Sequence, residues 1–155
     1  MAVISNLDVQ TRLDVRELLS RFCHAVDHMD EAGWGRLFTA DAKFHSPLCG
    51  DYGCRAELMD LPRKMHEEGG GFWRHEFTNI VIDRTGNNRE LQVRAYCTVT
   101  DWKNGGQPVF FADCEIVLRH TSQWQIAILS TKAVRPDGMP IVPARIAAGT
   151  RPSIN

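Results

Sequence analysis

Two short stretches carry the residue types needed for proton chemistry. Residues 21–44, RFCHAVDHMDEAGWGRLFTADAKF, contain Asp27, and residues 74–79, RHEFTN, contain His75. An imidazole oriented by a carboxylate is a general base: the carboxylate holds one ring tautomer and stabilises the imidazolium that forms when a proton is taken. A second group, His45, Cys49, Asp51 and Cys54, has metal-ligand types. Its spacing matches no closed zinc site with tightly paired ligands, so no metal is expected. Gly69-Gly70-Gly71 lacks the Lys-Ser/Thr of a phosphate loop and does not follow a strand, and neither G-x-S-x-G nor H-E-x-x-H occurs. Nucleotide, serine-hydrolase and zinc-protease chemistry are set aside, and the expected chemistry needs no cofactor.

The elements that must hold these residues follow from periodicity. From Asn6 to Met29, Val15, Leu18, Leu19, Phe22, Val26 and Met29 recur at the spacing of an amphipathic helix. At about 100° per residue, Asp27 lies on the flank of the apolar stripe, above Cys23 and Ser20, where it can border a cavity; His24 falls on the solvent side. Asp30 can cap a short second helix, EAGWGRLF, with Trp34 and Phe38 on its buried face. A short strand at Ala42 to Ser46, a loop through Cys54 and a helix from Arg55 to Glu68 come next, with Pro62 placed to kink or divide that helix. Gly69-Gly70-Gly71 is expected to be a flexible break. Trp34 and Phe44 are core aromatics or pocket wall, and in either role they favour an apolar ligand.

Beyond the glycines the pattern becomes strand-like. His75 to Asp83, Glu90 to Trp102, Val109 to His120 and Trp124 to Val134 are β-branched or aromatic runs joined by hairpin-type breaks. This predicts a four-strand antiparallel meander behind a helical first half, an α+β plan. Tyr96 shares a strand face with Gln92, Arg94, Thr98 and Thr100, opposite Leu91, Val93, Ala95, Cys97 and Val99. Either face can line a pocket. Were it the polar one, Tyr96 would donate its hydroxyl to a substrate oxygen.

The 155 residues, 43% of them hydrophobic, suit one domain over residues 1–135, followed by an irregular, proline-containing tail over residues 136–155. Eighteen basic and nineteen acidic residues leave a formal net charge of -1, and no basic run interleaves with aromatics, so nucleic acid is not an expected partner. Five cysteines, an odd number at irregular spacing, make no disulfide framework. The first residues lack a basic region followed by an apolar stretch, and no segment is long enough to span a bilayer. A soluble, cytoplasmic protein with a small-molecule partner is expected.

The pattern LL-x-R-[YF]-x-x-A-x-D-x-x-D is present as Leu18, Leu19, Arg21, Phe22, Ala25, Asp27 and Asp30. Trp34, Leu37-Phe38-Thr39, Asp41-Ala42, Phe44, His75, Asn79, Trp124 and Ile126 follow. These residues resemble the SnoaL-like branch of the nuclear transport factor 2-like superfamily over most of residues 7–134. The resemblance implies a cone-shaped α+β barrel, a curved antiparallel sheet wrapped around N-terminal helices, with an apolar pocket at its open end and assembly as a homodimer or homotrimer. It implies His75 as the base and Asp27 as its orienting partner, as in scytalone dehydratase and hexachlorocyclohexane dehydrochlorinase. Phe111 and Asp113 fall where related proteins place pocket residues. This chain differs from the dehydratase in having Val26 in place of a Tyr and no His between Glu76 and Phe111. It differs from the dehydrochlorinase in having Phe22 and Leu129 where that enzyme has Lys and Arg.

The implied function is a cofactor-independent lyase or isomerase acting on a small apolar, cyclic or aromatic molecule. The alternatives are a ligand-binding module, a scaffold like the small subunit of ring-hydroxylating dioxygenases, and a polyketide-cyclase-like aldol closure using Asp113.

Overall fold

The computed structural model describes residues 6–135 and residue 137. Asp8 starts the first helix: its carboxylate accepts from the Thr11 amide at 2.8 Å, satisfying a first-turn donor, and α1 runs over Val9–Asp27. Its stripe of Val15, Leu18, Leu19, Phe22, Ala25 and Val26 is buried. Met29, with φ of 54°, turns the chain out of α1. Asp30 then accepts from the Gly33 amide at 2.8 Å and opens α2, Glu31–Arg36.

This second helix is shorter than the sequence suggests, because Phe38 already belongs to a strand, β1, Phe38–Ser46. Trp34 and Phe38 still meet, with ring centroids 4.8 Å apart. The stretch expected to be a loop contains β2, Gly50–Tyr52, antiparallel to β1. The helix expected over 55–68 is two helices, α3, Arg55–Leu58, and α4, Leu61–Gly69. Pro62 divides them by occupying the first turn of α4, where a missing N–H has no cost.

The three glycines are a tight helix cap rather than a flexible break. Gly70, at φ of 60°, and Gly71, at φ of 79°, both direct their amides to the His66 carbonyl. A Cβ at Gly69 would lie 2.5 Å from the Trp73 ring, so α4 closes onto the strand that follows it.

The four predicted strands form the antiparallel meander: β3, Trp73–Arg84; β4, Glu90–Asp101; β5, Gln107–His120; and β6, Trp124–Ala133. The sheet is nonetheless six-stranded and mixed, in the order β2-β1-β6-β5-β4-β3, because β1 lies parallel to β6. A parallel pairing across some eighty residues has no hairpin signature, which is why local sequence pattern misses it. The curved sheet does not close into a barrel; β2 and β3 are its edges. Asn79, in the left-handed region at φ of 53°, sits where the β3–β4 register shifts between Thr78 and Val81, so it marks a bulge.

The helices cover the face carrying Leu91, Val93, Ala95, Cys97 and Val99 of β4 and Ala112, Cys114, Ile116 and Leu118 of β5, all buried. Burying that apolar set gains roughly 25 cal/mol per Å² removed from water, which the alternate set cannot match. The polar set therefore forms the outer face. This corrects three pocket assignments: Tyr96 (42% exposed), Phe111 (37% exposed) and Asp113 lie outside, where the Tyr96 and Phe111 rings contact each other at 5.9 Å. No helix among the described residues is long and apolar enough to cross a membrane. The tail expected over 136–155 lies outside the described residues, Asp137 excepted.

Candidate active site

Asp27 is the last residue of α1, and His75 is the third of β3. As β3 is an edge strand, its outward amides have no neighbouring strand, and Asp27 takes the one at His75: N–H to Oδ2 is 3.0 Å. The second carboxylate oxygen, Oδ1, lies 2.6 Å from His75 Nδ1. Both side chains are 5% exposed. An ionised carboxylate only accepts, so the proton in the short contact resides on Nδ1 and Nε2 is the nitrogen left for chemistry. Two hydrogen bonds from one residue to one carboxylate also fix the ring's position, as a preorganised base requires.

His75 lines a largely apolar pocket together with Phe22 and Val26 of α1, Trp34 of α2, Phe44 of β1, Met65 of α4, and Val99 and Phe110 of β4 and β5. A water-sized sphere can place its centre in about 30 Å³ of it. Such a space holds a water or two as it stands, so a cyclic substrate enters only when lining side chains move. Cys49 and Cys97 also face it, and both stay protonated thiols: burial pushes Cys49 up to about 12, and the neighbouring Cys114 thiol, ahead of burial, raises Cys97 well above its ordinary value. Cys23, one turn before Asp27, is likewise pushed up to about 12, first by burial and then by the Asp27 charge. The thiols act as small apolar groups, and the proton chemistry is left to the imidazole.

Residues 8–129 match the SnoaL-like domain family. The chain belongs to the SnoaL-like family. No curated protein sequence matches it. Among solved structures, a Nostoc punctiforme protein of unknown function with a cystatin-like fold is 21% identical with a TM-score of 0.73, covering 88% of this chain and 98% of that one. A nuclear transport factor 2-like protein from Novosphingobium aromaticivorans is 15% identical with a TM-score of 0.73 and coverage of 83% and 84%. A provisionally named scytalone dehydratase from the same organism is 14% identical with a TM-score of 0.65, covering 82% and 85%. At these identities the likeness establishes the nuclear transport factor 2-like fold.

Within this SnoaL-like chain the structure brings together Asp27, His75, Trp34 and Phe44; it does not bring Tyr96, Phe111 or Asp113 to them. His45 Nδ1 pairs with Asp51 Oδ1 at 3.0 Å in an exposed contact while Cys49 is buried, and among the described residues no group of three potential ligands gathers for a metal.

Three polar residues near the pair escaped sequence reasoning. Ser46 and Thr131 line the cavity from β1 and β6. The Ser46 oxygen accepts from the Leu48 amide at 3.2 Å and its side chain also bonds toward the Cys49 sulfur, whereas Thr131 donates to the His45 carbonyl at 3.2 Å and keeps only acceptor capacity. His66 of α4 borders a small cleft with Asp27 and His75. The signal for Ser46 was its place in alternation with Phe44 on β1; nothing local marked His66.

Proposed function

We propose that this SnoaL-like protein is a cofactor-independent lyase or isomerase in which His75 removes a proton from carbon beside an activating group. The observation that carries the reading is the buried 2.6 Å contact between His75 Nδ1 and Asp27 Oδ1 at the wall of an apolar cavity. Nε2 takes the proton, and the Asp27 charge stabilises the imidazolium in surroundings from which water is excluded. The Ser46 hydroxyl, once turned from the Cys49 sulfur, replaces Tyr96 as the donor to a substrate oxygen on which charge develops. Loss of water or another leaving group, or return of the proton to a different carbon, completes the turnover. The substrate is small and largely apolar, with a cyclic or aromatic body and one carbonyl or hydroxyl.

The aldol-closure alternative relied on Asp113, whose side chain is on the outer face, so it has no observation in its favour. A panel of cyclic hydroxy ketones in deuterated water tests the main reading, with carbon-bound deuterium and loss of water followed by NMR. The parent protein is expected to exchange or eliminate at least one of them, and His75→Gln to lose roughly a hundred- to ten-thousand-fold in rate. Binding of such compounds with neither exchange nor elimination would instead favour the ligand-binding module.

A further inference from the structure

One ring nitrogen close to the pair has no partner. His66 Nδ1 is sealed from solvent and makes no hydrogen bond among the described residues, although the residue as a whole is half-buried. Its backbone is fixed by the helix cap, and its ring packs close to Gly71. The His66 carbonyl receives the Gly70 and Gly71 amides, and a Cβ at Gly71 would come within 2.8 Å of the ring. Together with Asp27, His75, Val26, Met65, Gly71 and Trp73, His66 walls a cleft in which a water-sized sphere has about 10 Å³ for its centre, the room of a single water.

Both Asp27 oxygens face partners on His75, and each retains a second lone pair. A buried carboxylate with spare lone pairs and a buried nitrogen without a partner, bordering one water-sized space, give that water two polar neighbours, the minimum that holds one in place.

We propose that His66 is the proton-exchange partner of the His75–Asp27 pair, joined to the Asp27 carboxylate by one water in this cleft. The inference rests on the preceding reading of the pair as a proton-transfer site. After His75 Nε2 has taken a substrate proton, Nδ1 passes its own proton to Asp27, Asp27 passes one to the water, and the water gives one to the bare Nδ1 of neutral His66. His66 then releases its Nε2 proton to solvent. One proton leaves, Asp27 and the water return to their starting states, and both histidines are left neutral in the opposite tautomer, His75 with its proton on Nε2 and His66 with its proton on Nδ1; no electrons change hands. The reverse sequence, together with transfer of the His75 Nε2 proton to the product or leaving group, restores both starting tautomers. His66 touches no reacting atom; it is a relay that exchanges the proton of the buried pair with solvent.

The test is the exchange rate with water of the His75 Nδ1 proton, followed as a low-field proton NMR signal in the parent, His66→Phe and His66→Gln, with Asp27→Asn used to identify it. Phe removes the nitrogen and fills the cleft. Gln keeps a polar group that can hold the water but cannot pass a proton through a ring. Exchange at least tenfold slower in both variants is the expected result, with the amide fingerprint of the fold preserved; if the Phe variant does not fold, the Gln variant alone decides. Parent-like exchange in the Gln variant overturns the inference, because the cleft is then only a water channel. If the signal is present and depends on Asp27 yet ignores both His66 changes, the relay fails and the pair stands. If the signal ignores Asp27, the reading of the pair fails and takes the relay with it.

Discussion

Asp27 binds a single residue twice, once through its backbone and once through its ring. Truncating it leaves two buried donors unpaired, so Asp27→Ala is expected to destabilise the fold by about 2–3 kcal/mol, as for hydrogen bonds to a charged group, measured by urea unfolding. A loss near zero would mean that water replaces the carboxylate and that the pair is not sealed. The buried thiols give a pH prediction. Below the ordinary thiol value of 9.0, folded and unfolded chains both hold the proton; above it the unfolded chain releases protons that the folded Cys49, pushed up to about 12, retains. Stability therefore falls between those two values, by about 1.4 kcal/mol per pH unit for that thiol, with Cys23 and Cys97 adding in the same direction. Unfolding midpoints that stay level as pH rises from 9.0 toward 12 would contradict the burial of these groups.

At the scale of elements, sequence pattern reaches as far as local physics does. The α1 stripe, the Asp30 cap and the four meander strands were legible because helical and two-residue periodicities are written in consecutive residues. The parallel β1–β6 pairing was not, since its partners are far apart in the chain. The inner face of the sheet was in principle readable: Ala112, Cys114, Ile116 and Leu118 alternate with Asp113, Glu115 and Arg119, and that contrast places Asp113 outside. The contact of Asp27 with His75 was readable only through family resemblance, because it depends on α1 ending beside an edge strand. His66 was invisible for the same reason: its neighbours are brought to it by the glycine cap. That cap yields a prediction of its own. Gly71→Ala requires a left-handed residue and crowds the His66 ring, and is expected to cost about 1–2 kcal/mol by thermal or urea unfolding. A neutral or stabilising effect would mean that the cap is free to rearrange.

For the whole molecule, the fold supports many chemistries, and which one it performs follows from the site rather than from the architecture. Tyr96, Phe111 and Ile128 project exposed from three adjacent strands, beside Asp113 and Lys132, which are register partners of opposite charge. We propose that this mixed face meets a second copy of itself, so that sedimentation gives a dimer and Phe111→Glu shifts it to monomer. A monomeric parent protein at micromolar concentration would leave that face solvated.

The central claim is that His75 holds its proton on Nδ1, toward Asp27, and presents a bare Nε2 to the cavity. Nitrogen-15 NMR of the His75 ring in mildly alkaline solution measures this directly, with His75→Gln assigning the signals. A protonated Nδ1 and an unprotonated Nε2 are expected in the parent, with loss of that preference in Asp27→Asn. A parent ring protonated at Nε2 with Nδ1 bare, or one whose tautomer ignores Asp27, would contradict it and leave the cavity without its base.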